Sequence, residues 1–196
     1  MKIIFASGNK GKIREASEIL GEAYEIITPA SLGITEEIEE TGSTLKENSL
    51  IKAEYLYNKT GMNVFADDTG LEVDALGGAP GVHSARYATD GHDFDANINK
   101  LLNELSKHPG EPRTARFKSV VTLIINGERH FFEGAIEGCI AEKRCGANGF
   151  GYDPVFIADA YPGRTFAEVP EEDKNAVSHR GKSLRAMAEW LQENGF

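Results

Sequence analysis

The sequence is poor in cysteine, in basic charge and in long apolar runs, and each shortage argues against a class of protein. Its two cysteines, Cys139 and Cys145, have no second Cys or His pair at the spacing of zinc ligands. The chain therefore has no zinc-binding pattern. We expect both thiols to be reduced and to serve in packing, as is usual in the cytosol.

Basic residues are outnumbered, because 21 Lys and Arg stand against 31 Asp and Glu and the net charge is -10. Proteins that coat nucleic acid depend on Lys and Arg to neutralise phosphates, so this class is disfavoured, although a local basic pocket is compatible with the balance. The first apolar run, Ile3 to Ala6, is too short for a signal peptide or a membrane span, and no other run is long enough. We therefore expect a cytoplasmic protein with neither a nucleic-acid nor a membrane partner.

The remaining composition is that of an ordinary globular protein. Of the 196 residues, 40% are hydrophobic and 27% are charged, and no block combines low hydrophobicity with high charge. A chain of this length forms one domain or two lobes that share a core. We predict a single domain over residues 1–196 with two lobes.

Local patterns predict a mixed α/β fold. An apolar strand over residues 2–6 precedes a glycine-rich turn and a helix, and Thr44 with Glu47 forms a capping box that starts a second helix. Asn126-Gly127 between two runs rich in β-branched and aromatic residues predicts a hairpin. Part of the sheet is therefore expected to be antiparallel.

The segment Ser7-Gly8-Asn9-Lys10-Gly11-Lys12 joins the first strand to the first helix. Its glycines let backbone N–H groups converge on an anion, the helix N-terminus adds partial positive charge, and the two lysines add full charges. The segment matches neither the Walker A pattern nor the dinucleotide-binding pattern. It predicts either a phosphate site or a plain turn between strand and helix.

Asp67 and Asp68 follow an apolar strand predicted over residues 63–66, and Glu39 and Glu40 lie in an earlier acidic run. Carboxylates of this kind suit Mg²⁺, which binds one or two of them together with substrate phosphates. A remaining carboxylate could orient or deprotonate an attacking water. Because Asp-Asp-Thr-Gly is also good turn chemistry, a turn that ends the strand is the alternative.

Two further segments could contact a planar ligand. Phe150 is flanked by glycines, which is typical of an exposed stacking surface, and Asp153 stands nearby to accept hydrogen bonds. Ser178-His179-Arg180 at a helix start could bind the polar edge of such a ligand, and Lys174 could add a contact. The alternatives are a simple loop for the first segment and an N-cap serine with exposed neighbours for the second.

Taken together and in this order, the segments resemble those of the inosine triphosphate pyrophosphatase family, the house-cleaning dITP/XTP pyrophosphatases, from end to end of the chain. The matching blocks are Ser7 to Lys12, Glu40-Thr41-Gly42 with Glu47-Asn48, Ala66 to Leu71, Gly77 to Gly81 with Ser84 to Tyr87, Gly149 to Pro154, and Ser178 to Gly181.

The resemblance implies hydrolysis of ITP, dITP and XTP to the nucleoside monophosphate and pyrophosphate with Mg²⁺. Such a reaction keeps deaminated purines out of DNA and RNA. It also implies an elongated mixed β-sheet flanked by helices, with two lobes around a central active-site cleft, and a homodimer.

The same resemblance implies a role for each matching residue. Asp68 would be the proton acceptor and would bind Mg²⁺ together with Glu39 or Glu40. Residues 7–12 would hold the triphosphate, and Lys52 and Thr69 would support its phosphates. The residues that would contact the nucleoside are Phe150, which would stack on the base, Gly151, Tyr152, Asp153, Lys174, His179 and Arg180.

Two other functions remain as alternatives. One is a Maf-type nucleotide pyrophosphatase with a different base specificity, and the other is a nucleotide-binding protein without turnover. A Ser-His-Asp hydrolase is excluded because the sequence has no Gly-x-Ser-x-Gly elbow. The scattered histidines are expected to be surface or structural residues: His83, His92, His108 and His130.

Overall fold

Seven β-strands and five α-helices form the described part of the chain, residues 1–91 and 93–196, in a computed structural model. The expectation for His92 lies outside these residues. The strands are β1 (Lys2–Phe5), β2 (Glu25–Ile27), β3 (Val64–Val73), β4 (Pro80–Gly81), β5 (Thr114–Ile125), β6 (Glu128–Ile140) and β7 (Phe156–Ala158). The helices are α1 (Lys10–Leu20), α2 (Leu45–Thr60), α3 (Phe94–Ser106), α4 (Glu171–Val177) and α5 (His179–Glu193).

The strands form one mixed sheet in the order β2-β1-β3-β5-β6-β7, with β4 paired to β3. β1 is parallel to β2 and β3, with Phe5 opposite Phe65 in the β1–β3 pair. β3–β4 and β6–β7 are antiparallel. The predicted mixed α/β fold is confirmed.

The structure confirms the predicted capping box and the predicted hairpin turn. Thr44 caps α2, its side chain accepting from Glu47 N while the Glu47 carboxylate accepts from Thr44 N. Asn126 and Gly127 both have positive φ, 51° and 86°, as a two-residue hairpin turn requires.

Two strand predictions are wrong in extent. β3 does not end at Ala66 but continues to Val73, so Asp67 and Asp68 lie inside a strand and the turn alternative is wrong. The strand continues because Leu71 and Val73 are fully buried and because β4 pairs with it. The sequence also predicts separate strands over residues 129–132 and 135–141, but the structure joins them in one strand, β6.

The chain forms two compact units. Unit 1 comprises residues 1–68, 119–134 and 180–196, and unit 2 comprises 69–118 and 135–179. In unit 1, Ile3 and Phe5 of β1 pack in one apolar cluster and Ile4 in another. β1 is thus buried on both faces, which explains its continuous apolar sequence.

α5 contributes its apolar face to the first of these clusters. The buried residues of that face recur at helical spacing, as the sequence predicts: Leu184, Met187, Ala188 and Leu191. Unit 2 has its own core, in which α3 packs with the residues of β3, β5, β6 and β7 that belong to this unit. None of the helices formed by the described residues has the length and apolar character that crossing a membrane requires.

Candidate functional site

The turn between β1 and α1 is ordered by Asn9. Its side-chain Oδ1 accepts hydrogen bonds from Gly11 N at 2.9 Å and Lys12 N at 3.1 Å, and its own N–H donates to Ser7 Oγ at 3.2 Å. Three of the amides expected to converge on an anion are therefore used inside the turn. Gly8, Asn9 and Lys10 are exposed, so the positive end of α1 and the Lys10 side chain face solvent.

Asp67 of β3 lies at the centre of a buried ion-pair cluster in unit 1. Lys12 Nζ is 3.0 Å from its Oδ1 and 2.8 Å from its Oδ2, and Arg180 Nε donates to Oδ2 at 3.1 Å. Arg180 Nη1 also donates to Glu15 Oε2 at 3.2 Å. Burial alone would raise the pKa of Asp67, but the charges of Lys12 and Arg180 outweigh it and hold this pKa well below its usual range.

Asp68, the next residue, has a different environment. Lys52 of α2 lies between two carboxylates, with Nζ 2.7 Å from Glu40 Oε1 and 3.3 Å from Asp68 Oδ1. Burial raises the pKa of Asp68, and the negative charge of Glu40 adds to this effect while Lys52 opposes it. Asp68 Oδ2 is buried and has no hydrogen-bond partner among the residues that the structure describes.

The segment before α2 holds Glu40 next to Lys52. Asn48 Oδ1 accepts a hydrogen bond from Gly42 N at 2.8 Å, and a Cβ on Gly42 would lie 2.6 Å from that same oxygen. Only glycine therefore lets the segment approach the helix this closely. Glu40 is half-buried at this site, whereas Glu39 is exposed.

The donor set of Glu40 and Asp68 fits a hard cation. An unpartnered buried carboxylate oxygen is costly unless a ligand satisfies it, and Mg²⁺ typically binds one or two carboxylates plus substrate phosphates. Over residues 1–91 and 93–196, no group of three or more His, Cys, Asp or Glu side chains is arranged to hold a metal ion by itself. Thr69 Oγ1 is also buried without a hydrogen-bond partner in the described chain.

Unit 2 contains a cavity of about 510 Å³ beside an exposed aromatic ring. Phe150 is 60% exposed, and Lys174 Nζ lies 5.1 Å from the centre of its ring. Asp153 Oδ2 organises the wall, because it accepts from Phe150 N at 3.0 Å and from Lys174 Nζ at 2.8 Å. The lining residues are Asn148, Gly149, Phe150, Phe166, Val169, Glu171 and Lys174.

Other predicted nucleoside contacts lie in different surroundings. Tyr152 is buried and donates its hydroxyl to Ser84 O at 2.8 Å, and burial raises its pKa, so its side chain serves the core of unit 2. The ring of His179 stacks on Phe117 in unit 2, with ring centres 5.1 Å apart. Arg180 belongs to unit 1, where its guanidinium contacts Asp67 and Glu15, and its role in recognising a purine stays a prediction.

Comparison with known proteins identifies the chain. The model of the Ham1 family matches residues 3–190. The chain belongs to the Ham1 family.

Similar proteins cover nearly the whole chain. A dITP/XTP pyrophosphatase of Christiangramia forsetii is 45% identical over 193 residues, covering 98% of this chain and 100% of that protein. A dITP/XTP pyrophosphatase of Porphyromonas gingivalis is 48% identical over 190 residues and covers 97% of each. The structure of the Staphylococcus aureus Ham1 protein aligns with a TM-score of 0.92 at 38% identity, covering 99% of this chain and 100% of that one. The resemblance seen in the motifs is confirmed.

Sequence reasoning missed Glu15, Phe94 and the partners of Asp67. The sequence predicts Asp67, together with Asp68, as a carboxylate suited to Mg²⁺, whereas in the structure Asp67 binds Lys12 and Arg180. Glu15 stands three residues after Lys12, which places both on one face of α1. This spacing could have predicted that Glu15 lies in the same site as Lys12. Phe94, an exposed aromatic at the start of α3, lies 6.4 Å from Phe150 between ring centres and carried no signal.

The Phe150 loop gives a direct test with a matched control. Gly149 and Gly163 both have φ of 79°, but an added Cβ would lie 2.2 Å from Asp153 Oδ2 at Gly149 and would meet nothing within 4 Å at Gly163. Both alanine variants should lose about 1 to 2 kcal/mol of unfolding free energy to the left-handed backbone. Gly149→Ala should lose more, and its amide hydrogen exchange should accelerate over residues 147–153. Equal losses and unchanged exchange in both variants would contradict the role given to Asp153.

Proposed function

We propose that this Ham1 family protein hydrolyses the non-canonical purine nucleoside triphosphates ITP, dITP and XTP to the monophosphate and pyrophosphate. The observation that carries the proposal is Asp68, a buried carboxylate beside Lys52 and Glu40 with one oxygen that no described residue contacts by a hydrogen bond. The dITP/XTP pyrophosphatases of C. forsetii and P. gingivalis support the substrate class. The reaction would remove deaminated purines from the nucleotide pool before they enter DNA and RNA.

The triphosphate would bind at the turn over residues 7–12 and at Lys52. It carries about four negative charges, which a protein of net charge -10 accommodates only at a local site that supplies positive charge. Lys10 is exposed at the start of α1, and Lys12 and Lys52 are held in place by carboxylates. The buried Thr69 hydroxyl, which has no hydrogen-bond partner among residues 1–91 and 93–196, would donate to a phosphate oxygen.

Glu40 and Asp68 would hold Mg²⁺. When bound, the ion would neutralise phosphate charge and orient the phosphate oxygens. The half-buried position of Glu40 beside Lys52 favours it over the exposed Glu39.

Asp68 would accept the proton from the attacking water. Release of pyrophosphate requires that the water oxygen bond to the α-phosphorus while the bond to the bridging oxygen of the β-phosphate breaks and pyrophosphate leaves. Asp68 has one oxygen in contact with Lys52 and a second, buried oxygen with no partner in the described chain, so the second oxygen is available to accept the proton.

The purine would stack on Phe150 over the cavity of unit 2. Base–aromatic stacking tolerates any base, so selectivity needs a polar group. Lys174, held over the ring by Asp153, is a donor that a 6-oxo group can accept from and that an exocyclic amine cannot satisfy. An exocyclic amine buried against this ammonium would lack an acceptor, and an unpaired buried donor costs about 1 to 3 kcal/mol, which would weaken binding of ATP.

We further propose that the protein is a cytoplasmic homodimer. The family resemblance supports the dimer. The absence of a spanning helix among the described residues and the acidic net charge are compatible with a cytoplasmic location.

The first test is a substrate panel of ITP, XTP, dITP, ATP, GTP, dTTP and UTP, assayed for pyrophosphate and orthophosphate with Mg²⁺ and with EDTA. We expect pyrophosphate from ITP, dITP and XTP only, and only with the metal. Turnover of pyrimidine nucleotides would favour a Maf-type enzyme instead. Binding without turnover would favour a non-catalytic nucleotide-binding protein.

Asp68→Asn tests the proton acceptor. It preserves shape but removes the base, so kcat for ITP should fall by about 10²-fold or more, the usual contribution of general acid–base catalysis. Asp159→Asn, at an exposed position, is the matched control and should retain full activity. Substantial turnover by folded Asp68→Asn would rule out the role of Asp68.

Phe150→Ala tests base stacking. Loss of the ring should raise KM for ITP and XTP by about 10-fold or more, since stacking on an aromatic side chain contributes about 1 to 3 kcal/mol per base. Inhibition by inorganic tripolyphosphate, which has no base, should not change. Phe196→Ala, at another exposed phenylalanine, controls for loss of a surface ring. Equal weakening of ITP and tripolyphosphate would contradict stacking at Phe150.

A further inference from the structure

The two adjacent aspartates of β3 have separate partners. Neighbouring side chains on a strand point to opposite faces of the sheet. Both oxygens of Asp67 contact Lys12, and one also accepts from Arg180, whereas Asp68 contacts Lys52 and has a second oxygen without a partner in the part of the chain that the structure describes. The contacts of the two carboxylates therefore indicate different roles.

We propose that Asp67 is a positioning residue that fixes the Lys12 ammonium and the Arg180 guanidinium for catalysis, and that it neither binds the metal nor accepts a proton. This inference rests on the proposed function and assigns a role to a residue that the proposed mechanism leaves unused.

The surroundings of Asp67 argue against direct chemistry. Its side chain is 1% exposed, and two cations lie within 3.1 Å of its oxygens. A metal ion at Asp67 would face the repulsion of both cations, and a water molecule would have to displace one of them. Asp68 contacts a single cation, Lys52, through Oδ1, and its Oδ2 has no partner in the described chain that a ligand would have to displace.

The same contacts explain how Asp67 acts through its partners. The Lys12 and Arg180 side chains are only 23% and 12% exposed, so neither charge is well solvated. Asp67 is the carboxylate that they share, and without its charge the two cations would repel each other at short range. Their side chains would then leave the positions seen here, while the backbone of β3 would still hold Asp68 in place.

The test combines three variants, Asp67→Asn, Lys12→Ala and the double variant, with kcat, KM and the Mg²⁺ concentration for half-maximal activity measured on ITP. Asp67→Asn should lower kcat/KM by about 10-fold or more, yet leave the Mg²⁺ requirement unchanged. Because Asp67 acts through Lys12, Asp67→Asn should lower kcat/KM much less in the Lys12→Ala protein than in the wild type. Glu40→Gln is the positive control and should raise the Mg²⁺ requirement.

Two results would overturn the inference. A raised Mg²⁺ requirement in Asp67→Asn would make Asp67 a metal ligand, and independent, multiplicative losses in the double variant would show that it does not act through Lys12. If Asp67→Asn does not fold, Asp67→Glu keeps the charge but shifts both cations, and should lower kcat/KM with the same unchanged Mg²⁺ requirement. Absence of pyrophosphate release by the wild-type protein would instead contradict the proposed function.

Discussion

The contact of Asp67 with Lys12 and Arg180 links three elements of unit 1, because the three residues stand on β3, α1 and α5. Removing a charge from water costs several kcal/mol, and only close, hydrogen-bonded pairing offsets that cost. The start of α1 and the start of α5 are therefore held against β3 by charge as well as by apolar packing. Any rearrangement that separates one cation from Asp67 leaves a buried charge unpaired, so these positions are strongly defined.

Local structure that depends on sequence neighbours is predicted correctly. Structure that depends on contacts with residues distant in the sequence is not. Thr44 with Glu47 and Asn126 with Gly127 are local signals, and both form the expected structures. The Asp-Asp-Thr-Gly segment is the opposite case, because its local preference for a turn is overridden by pairing in the sheet and by cations that come from α1, α2 and α5. The same limit applies to Glu39 and Glu40, which differ in burial and in the contact of Glu40 with the distant Lys52.

The lysines and the arginine around β3 are balanced by carboxylates and do not form a simple basic pocket. Around β3 in unit 1, three cations contact four carboxylates: Lys12, Lys52 and Arg180 against Glu15, Glu40, Asp67 and Asp68. The group as a whole is therefore not positive, contrary to a simple basic pocket. Each lysine of the group is paired with a carboxylate and held in one position. Cations that are already ordered lose little conformational entropy when an anion binds. A triphosphate needs further positive charge at such a site, which supports the inferred requirement for a divalent cation.

In unit 2 a single lysine is likewise held in position by a carboxylate. Asp153 holds Lys174 over the face of Phe150, so an ammonium group that would otherwise move freely in solvent has one position beside the cavity. A fixed donor discriminates between ligands better than a mobile one, because a mobile ammonium can turn towards water when the ligand offers no acceptor. A ring carbonyl in reach of Lys174 gains a charge-assisted hydrogen bond, whereas an amine there places one donor against another while Asp153 keeps the ammonium from turning away. Selectivity for 6-oxo purines over adenine can thus arise from the rigidity of one lysine, and that rigidity originates in a carboxylate that need not contact the base.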